Sequence, residues 1–152
     1  MKMKAKMNKI YNALRGYPLS WLCVAVIWTL CLMPIPETPL SQVNMIDKWT
    51  HLVMFGGLCS VIWGEHSFRH ATPCKRFLWT WAFAVPMLMG GLVELVQATC
   101  TGGRRSGDVV DWVADGIGVL IGQLTGMLLA RVVASCRKGR QEDESCDNAH
   151  RP

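Results

Sequence analysis

The chain alternates long apolar runs with short polar segments along its 152 residues. Four apolar runs stand out: Leu19–Ile35, Leu52–Trp63, Phe77–Ala98 and Val109–Val133. A helix that crosses a bilayer needs about 17–25 predominantly apolar residues. The third and fourth runs reach this length, the first is at its lower limit, and the second reaches it when Trp49–His51 is included. The pattern predicts an all-α integral membrane bundle of four transmembrane helices.

The charged residues between these runs predict the domain organisation and the orientation. Residues 1–16 form a basic N-terminal segment, residues 17–134 the transmembrane domain, and residues 135–152 a polar tail that is expected to be disordered. Lys and Arg are concentrated in the N-terminal segment, in the loop after the second run and in the tail, as is typical of cytoplasmic segments. Both termini are therefore expected in the cytoplasm. The small-residue pattern of a signal-peptide cleavage site is missing, which favours an uncleaved first span.

The remaining composition narrows the classes of partner and cofactor. The net charge of +5 follows from the predicted topology, and its natural partner is the anionic surface of the lipid bilayer. Nucleic-acid binding is not expected, because the sequence has neither a recognised motif nor the pattern of a basic groove. The seven cysteines lack the paired spacing of zinc or redox sites. No cofactor is predicted from them, and a divalent metal is considered only for the acidic residues described below.

Small residues and a proline inside the apolar runs predict how the helices pack. Gly118, Gly122 and Gly126 recur every four residues on the fourth helix. Such a face lets a second helix approach closely, within one chain or between chains. Pro86 lies in the middle of the third run, where it should kink the helix. A membrane helix tolerates this if its neighbours satisfy the carbonyl that the proline frees.

Polar residues form three stripes at one predicted membrane level, on the non-cytoplasmic side. Residues three or four apart share a helix face. The stripes are Asp47 and His51 with Lys48 between them, then Glu94 and Gln97, then Asp108, Asp111 and Asp115. An ionised side chain at membrane depth costs roughly 2.5–3.5 kcal/mol even on the mildest scale, so such residues mark paired networks or functional sites. We expect the stripes to converge in one outward-facing polar pocket.

Each stripe also has a structural interpretation. Asn44 or Asp47 can cap the second helix and Asp108 the fourth, because an early carboxylate or amide accepts exposed backbone N–H groups. Capping does not account for the deeper acids. Glu94 lies near the C-terminal end of its helix, where the helix dipole disfavours a negative charge. It must be protonated or face a donor such as Arg105, Lys48 or His51. A purely structural interhelical network stays open as an alternative.

The same residues permit three kinds of chemistry. A divalent metal would take ligands from His51, Glu94, Asp111 and Asp115. General acid–base catalysis would use His51, Glu94 and Asp111, because burial and like charge separate carboxylate pKa values. An anionic headgroup would be held by the forked guanidinium of Arg105 together with Lys48. The sequence contains no nucleophile elbow, P-loop or HExxH pattern.

The order and spacing of these motifs resemble the VanZ-like membrane family over about residues 20–130. The motifs are Asp47-Lys48-x-x-His51, Glu94-x-x-Gln97 and Gly103-Arg104-Arg105-Ser106-Gly107-Asp108-x-x-Asp111-x-x-Ala114-Asp115-x-x-Gly118. The spacing to Asp108 and Asp111 favours Arg105 over Arg104 as the family's arginine. The resemblance implies a small helical bundle in a bacterial membrane. The family's namesake is associated with low-level resistance to the glycopeptide teicoplanin, and no settled reaction comes with the resemblance.

The leading hypothesis is a multi-pass protein of the bacterial inner membrane that binds an anionic lipid headgroup or a lipid-linked envelope component, with a link to glycopeptide tolerance. The expected ligand-binding residues are Asp47, Lys48, His51, Glu94, Gln97, Arg105, Asp108, Asp111 and Asp115. The first alternative is a membrane-embedded hydrolase or transferase that uses acid–base or metal-assisted chemistry on an envelope lipid. The second is a structural or assembly partner that oligomerises through the glycine face of the fourth helix.

Overall fold

The described part of the chain is helical throughout its regular structure. The computed structural model describes residues 15–33, 45–70, 74–101 and 107–149. Its elements are α1 (Pro18–Leu32), α2 (Ile46–Arg69), α3 (Lys75–Leu78), a π-helical segment (Trp79–Ala84), α4 (Val85–Cys100) and α5 (Val109–Ala149). These ranges contain no strand, which confirms the all-α prediction. Asn44, Arg104 and Arg105, on which several expectations rest, lie outside the described residues.

Two helices among the described residues are long and apolar enough to cross a membrane. They are Arg76–Cys100, with 25 residues, and Val109–Glu142, with 34 residues. Helix α1 is apolar but shorter, with 15 residues. Helix α2 has the length, but its two ends are rich in polar residues. The predicted third and fourth spans therefore agree with the structure in length and composition, and the count of four spans stays a prediction.

The surface of the bundle is apolar where that of a water-soluble protein is polar. Large apolar side chains point outward from both long helices, including Leu88, which is 74% exposed, and Leu120 and Leu124. The buried set includes several polar and ionisable side chains. Acidic side chains are almost never fully buried in water-soluble proteins unless they are paired, and extended apolar surfaces mark contact with a membrane or a partner. This distribution fits helices that contact lipid.

The tightest packing joins α2 and α5 along the predicted glycine face. A methyl group added to Gly118 would collide with the backbone oxygen of Leu52, and one added to Gly126 would collide with the Trp63 side chain. At Gly122 the added carbon would lie 2.5 Å from the Gly56 oxygen. Backbones can approach this closely only where neither helix has a side chain in the way. The glycine face therefore serves packing between two helices of one chain.

Pro86 lies at the start of α4, directly after the π-helical segment. Proline lacks an N–H group, so the carbonyl four residues earlier, that of Ala82, loses its helical donor. Two side chains replace it: Gln123 donates through Nε2, and the Cys59 thiol donates from 2.9 Å. The Gln123 amide oxygen in turn accepts a hydrogen bond from the Trp63 indole at 2.8 Å. Neighbouring side chains thus satisfy the freed carbonyl, which is the condition under which a membrane helix tolerates the proline.

The end of α2 anchors the start of α1. Leu19 and Ser20, in the first turn of α1, donate their backbone N–H groups to the two carboxylate oxygens of Glu65 at 2.9 and 3.0 Å. Nearby, the Tyr17 hydroxyl lies 2.9 Å from Nδ1 of His66. Exposed N–H groups at a helix start are normally satisfied by a cap within the same chain segment. Here a carboxylate 45 residues away in sequence does so, which fixes α1 against α2.

Helix α5 continues well beyond the apolar run that predicts it. The sequence indicates a disordered tail over residues 135–152, whereas the backbone of the structure stays helical as far as Ala149. Arg140, Gln141 and Glu142 are good helix formers, and Lys138 and Glu142 form an ion pair one turn apart at 3.8 Å. Arg137 also donates to the backbone oxygens of Phe68 and His70 at 2.7 and 3.1 Å. These contacts with the end of α2 hold the first turns of the extension in place.

Gly122→Ala should destabilise the bundle, because the new methyl group would meet the Gly56 oxygen at 2.5 Å and the Cys59 Cβ at 2.6 Å. Overpacking of this kind costs about 1–3 kcal/mol of unfolding free energy. Gly57→Ala is the matched control, because nothing lies within 4 Å of its added carbon and alanine gains up to about 1 kcal/mol of helix propensity. Unfolding of the detergent-solubilised protein by denaturant, followed by tryptophan fluorescence, measures both. Equal stability of the two variants would contradict the close α2–α5 contact.

Candidate functional site

The polar residues of three helices meet at one end of the bundle, where α2 and α5 begin and α4 ends. We call the group made of Asp47, Lys48, His51, Glu94, Asp108, Asp111 and Asp115 the polar cluster. Two glycines make room for it. A methyl group on Gly90 would meet the Asp115 carboxylate at 2.5 Å, and one on Gly107 would collide with the backbone oxygen of Glu94. The three stripes thus lie against one another.

The outer layer of the cluster is an ion-pair network around Lys48. The Lys48 ammonium lies 3.1 Å from Oδ2 of Asp108 and 3.0 Å from Oδ1 of Asp111. Asp108 is partly exposed, whereas Asp111 is buried. A buried carboxylate needs a cation or donors to offset its lost hydration. Lys48 supplies this cation to Asp111, and the ammonium charge is shared between Asp108 and Asp111.

Asp108 caps α5. Capping is one of the two roles expected for it from the sequence, and ligand binding is the other. Its Oδ1 accepts the backbone N–H of Val110 at 2.9 Å, and Asp108 is the residue directly before the helix. The Val110 amide and then the Lys48 ammonium lower the pKa of the Asp108 carboxyl below its usual value. A depressed pKa means that the ionised form stabilises the fold at pH values above the unfolded pKa. This contribution is lost as the pH falls through the lower, folded pKa.

The inner layer of the cluster is built on His51. Its Nδ1 lies 2.9 Å from Oδ1 of Asp115 and 3.7 Å from Oε1 of Glu94. These side chains are among the most buried in the chain, with exposures of 1% for His51, 0% for Asp115 and 8% for Glu94. An ionised carboxylate can only accept a hydrogen bond. The proton between His51 and an ionised Asp115 therefore belongs to Nδ1.

Glu94 is held by a donor that the sequence does not indicate. Its Oε2 accepts the backbone N–H of Asp108 at 2.8 Å, while its Oε1 faces His51. Three donors are expected for Glu94 from the sequence, and of these His51 lies near its carboxylate. Lys48 pairs with other acids, and Arg105 lies outside the described residues. The Asp108 amide is one of the exposed groups at the start of α5, so the end of α4 is tied to the start of α5.

Two carboxylate oxygens in the inner layer lack a hydrogen-bond partner among the residues that the structure describes. They are Oε1 of Glu94 and Oδ2 of Asp115, and both are buried. Buried polar groups are almost always paired, and each exception calls for an explanation such as a catalytic role or an ion that is not shown. The two oxygens therefore set the inner layer apart from a fully satisfied structural network.

The structure gives Gln97 and Asp47 different positions relative to this inner layer. Gln97 donates through Nε2 to the backbone oxygen of Cys31 at 2.8 Å, which ties α4 to the end of α1. Asp47 lies in the first turn of α2, but the residue that caps this helix is Met45, which makes no side-chain cap hydrogen bond. Asp47 offers an oxygen within 4.8 Å of ligand atoms of His51 and Asp111. A role in ligand binding stays a prediction for both residues.

Sequence reasoning does not anticipate the contribution of Gly90. Gly90 faces the Asp115 carboxylate directly. A signal was present, because Gly90 lies four residues before Glu94 and hence on the same face of α4. A glycine on a polar face indicates room for a side chain of another helix. The backbone amide of Asp108 has no comparable signal, because its orientation depends on how the chain enters α5.

Replacement of Asp115 by alanine should cost more stability than replacement by asparagine. Alanine leaves the buried Nδ1–H of His51 without its acceptor at 2.9 Å, and an unsatisfied buried donor costs about 1–3 kcal/mol. Asparagine keeps an acceptor oxygen at that place. Denaturant unfolding of Asp115→Ala and Asp115→Asn, each against the unmodified chain, measures the difference. Equal losses of unfolding free energy would show that the His51 contact does not stabilise the fold.

Comparison with known proteins bears on the identity of the chain. The model of the VanZ/LLP1 family matches residues 6–131, which include every residue of the polar cluster. A search of curated proteins found no match, and no solved structure matched either. The match covers well over half of the chain, and the apolar helices are compatible with a membrane protein. The chain therefore belongs to the VanZ/LLP1 family.

Proposed function

We propose that the chain is a multi-pass protein of the bacterial inner membrane that binds an anionic, phosphate-bearing headgroup at its polar cluster. The ligand is a membrane lipid or a lipid-linked component of the cell envelope. The cluster opens on the non-cytoplasmic side, and both termini lie in the cytoplasm. The observation that carries this proposal is the meeting of buried, ionisable side chains from α2, α4 and α5 in a bundle whose outer surface is apolar. Such residues mark ligand or ion sites in membrane proteins.

The distribution of charge supports this orientation. Arg131, Arg137, Lys138 and Arg140 follow the apolar part of α5, at the end opposite the polar cluster. The basic residues of segment 1–16 belong to the same end in the four-span topology. Positive charge near the ends of spans is typical of the cytoplasmic side. The polar cluster, which is rich in acids, then faces outward.

Arg105 is the residue that we assign to the anion. Lys48 already contacts two carboxylates, at 3.0 and 3.1 Å, and so has limited capacity for a further anion. Arg105 precedes Gly107 by two residues, and Gly107 lies against the backbone of Glu94 in the cluster. A guanidinium group binds phosphate through two parallel hydrogen bonds. In this proposal Lys48 adds a second positive contact, and Glu94, Asp111 and Asp115 orient the cations.

Arg105→Ala should weaken headgroup binding at least tenfold, because a hydrogen bond to a charged group contributes about 1.5–3 kcal/mol. Arg140→Ala is the matched control, since it removes the same side chain from the exposed extension of α5. Calorimetric titration of detergent-purified protein with a short-chain phosphatidic acid measures the affinity. Short-chain phosphatidylcholine and inorganic phosphate separate the contributions of the lipid, the headgroup charge and the phosphate.

Two results would contradict this proposal. One is equal affinity of the Arg105→Ala and Arg140→Ala proteins for phosphatidic acid. The other is a loss of folded Arg105→Ala protein, by gel filtration and melting temperature, in the same proportion as the loss of binding. The second result would make the cluster a structural network that holds the helix ends together.

A contribution to glycopeptide tolerance belongs to the same proposal, and it depends on the same site. A bacterial strain that carries Arg105→Ala at wild-type protein level should become more susceptible to teicoplanin than a strain that carries Arg140→Ala. The measurement is growth inhibition across a dilution series, with the protein level checked by immunoblot. Identical susceptibility of the two strains would show that glycopeptide tolerance does not depend on the site that binds the headgroup.

A further inference from the structure

The polar cluster carries more negative than positive side chains within the part of the chain that the structure describes. Asp47, Glu94, Asp108, Asp111 and Asp115 contribute carboxyl groups, and Lys48 and His51 are the basic members. Such a site repels an anion unless further positive charge is present. We infer that a divalent transition-metal ion of the Mn²⁺ or Zn²⁺ type binds between His51, Glu94 and Asp115. This inference rests on the proposed function in one respect, namely that the ion would help to hold the phosphate group.

The distances between the three side chains suit a shared ion. His51, Glu94 and Asp115 each offer one ligand atom, and these atoms lie within 4.8 Å of one another. His51 Nδ1 is 2.9 Å from Asp115 Oδ1 and 3.7 Å from Glu94 Oε1. Neighbouring ligands around an ion at about 2.0–2.2 Å are themselves about 2.8–3.6 Å apart. The two printed separations lie within or just beyond this range, and the ion would replace the proton on Nδ1 of His51.

The two unpartnered oxygens give independent support. Oε1 of Glu94 and Oδ2 of Asp115 are buried, and no hydrogen-bond donor from the described residues reaches them. Both belong to the three side chains that the distances select. Oε1 of Glu94 faces His51, so a divalent cation between the three side chains would satisfy that oxygen. The geometry and the missing partners thus point to the same place.

A second group of residues satisfies the distance criterion but is the weaker candidate. It consists of Asp47, His51 and Asp111. Asp111 already pairs with Lys48 at 3.0 Å, so an ion there would compete with an ammonium group for the same carboxylate. Oxygens without partners, by contrast, are found in the group of His51, Glu94 and Asp115. We therefore assign the ion to that group.

The types of ligand indicate which ion binds, and their number indicates how many of its coordination positions stay free. Imidazole favours transition metals, and carboxylates suit Mn²⁺ as well as Zn²⁺. Three protein ligands leave at least one coordination position free, as in metal sites that bind substrates. A phosphate oxygen could fill that position. The backbone N–H of Asp108 already holds Glu94 through Oε2, which leaves Oε1 directed toward His51.

Mn²⁺ binding to the full-length, detergent-purified protein tests this inference without any lipid. Mn²⁺ is the better probe because cysteine thiolates compete strongly for Zn²⁺, and Cys74, Cys100 and Cys136 are exposed. The protein carries a tag without histidine and is first stripped with a chelator. Free Mn²⁺ is then measured by electron paramagnetic resonance during titration. We expect one ion per chain, and at least tenfold weaker binding in both His51→Ala and Asp115→Asn.

His70→Ala is the matched control, because it removes one exposed imidazole at the opposite end of α2. Its Mn²⁺ affinity should equal that of the unmodified chain. Asp115→Asn keeps an acceptor for His51 and so guards against loss of the fold, which gel filtration and the melting temperature verify. Mn²⁺ affinity that is the same in Asp115→Asn, His51→Ala and His70→Ala would overturn the inference, and so would the absence of stoichiometric binding in the unmodified chain.

The two proposals fail in distinguishable ways. Stoichiometric Mn²⁺ binding that depends on Asp115, without any binding of phosphatidic acid, supports the metal site and contradicts the proposed function. Binding of phosphatidic acid that depends on Arg105 and is unchanged by chelator overturns the inferred role of the ion in holding the headgroup. If both proposals hold, phosphatidic acid binds at least tenfold more tightly with Mn²⁺ than after chelation.

Discussion

The close approach of α2 and α5 is the constraint on which the rest of the structure depends. Gly118 lies against the backbone oxygen of Leu52, and Gly122 against that of Gly56, so the two helices meet in one register. His51 directly precedes Leu52, and Asp115 lies three residues before Gly118 on the same face of α5. The register of this contact therefore brings the imidazole of His51 to the carboxylate of Asp115. A shift of one turn along the seam would separate them by about 5.4 Å.

Within the described residues, large apolar side chains cover much of the outer surface, and most of the interior polar groups are held by a neighbouring helix. At one end, the Asp108 amide holds Glu94, and Lys48 holds Asp111. In the middle, Gln123 satisfies the carbonyl that Pro86 frees. Without water, a buried group must find its partner in the protein. The unpartnered oxygens of the inner layer are departures from this rule, and the inferred ion would explain them.

Much of this arrangement can be predicted from the sequence, because it depends on the spacing of residues within single helices. Apolar runs predict the helices, i, i+3 and i, i+4 spacing predicts the polar faces, and the glycine repeat predicts a close contact. Which helix each face packs against cannot be predicted in this way, because contacts such as that of Glu65 with the start of α1 join residues 45 or more positions apart. Whether α2 crosses the membrane stays a prediction, because both of its ends are rich in polar residues. The helical extension to Ala149 has polar residues that suit both disorder and an exposed helix.

The coupling between His51 and Asp115 is the measurement that tests the central claim most directly. The claim is that side chains from separate membrane helices form one buried, connected site. A double-mutant cycle with His51→Ala, Asp115→Ala and the double variant gives the interaction free energy from unfolding in detergent. Residues in direct contact show about 0.5–3 kcal/mol of coupling, which is the result that the structure predicts. Additive effects of the two substitutions would mean that the side chains do not touch, and the proposed site would be wrong.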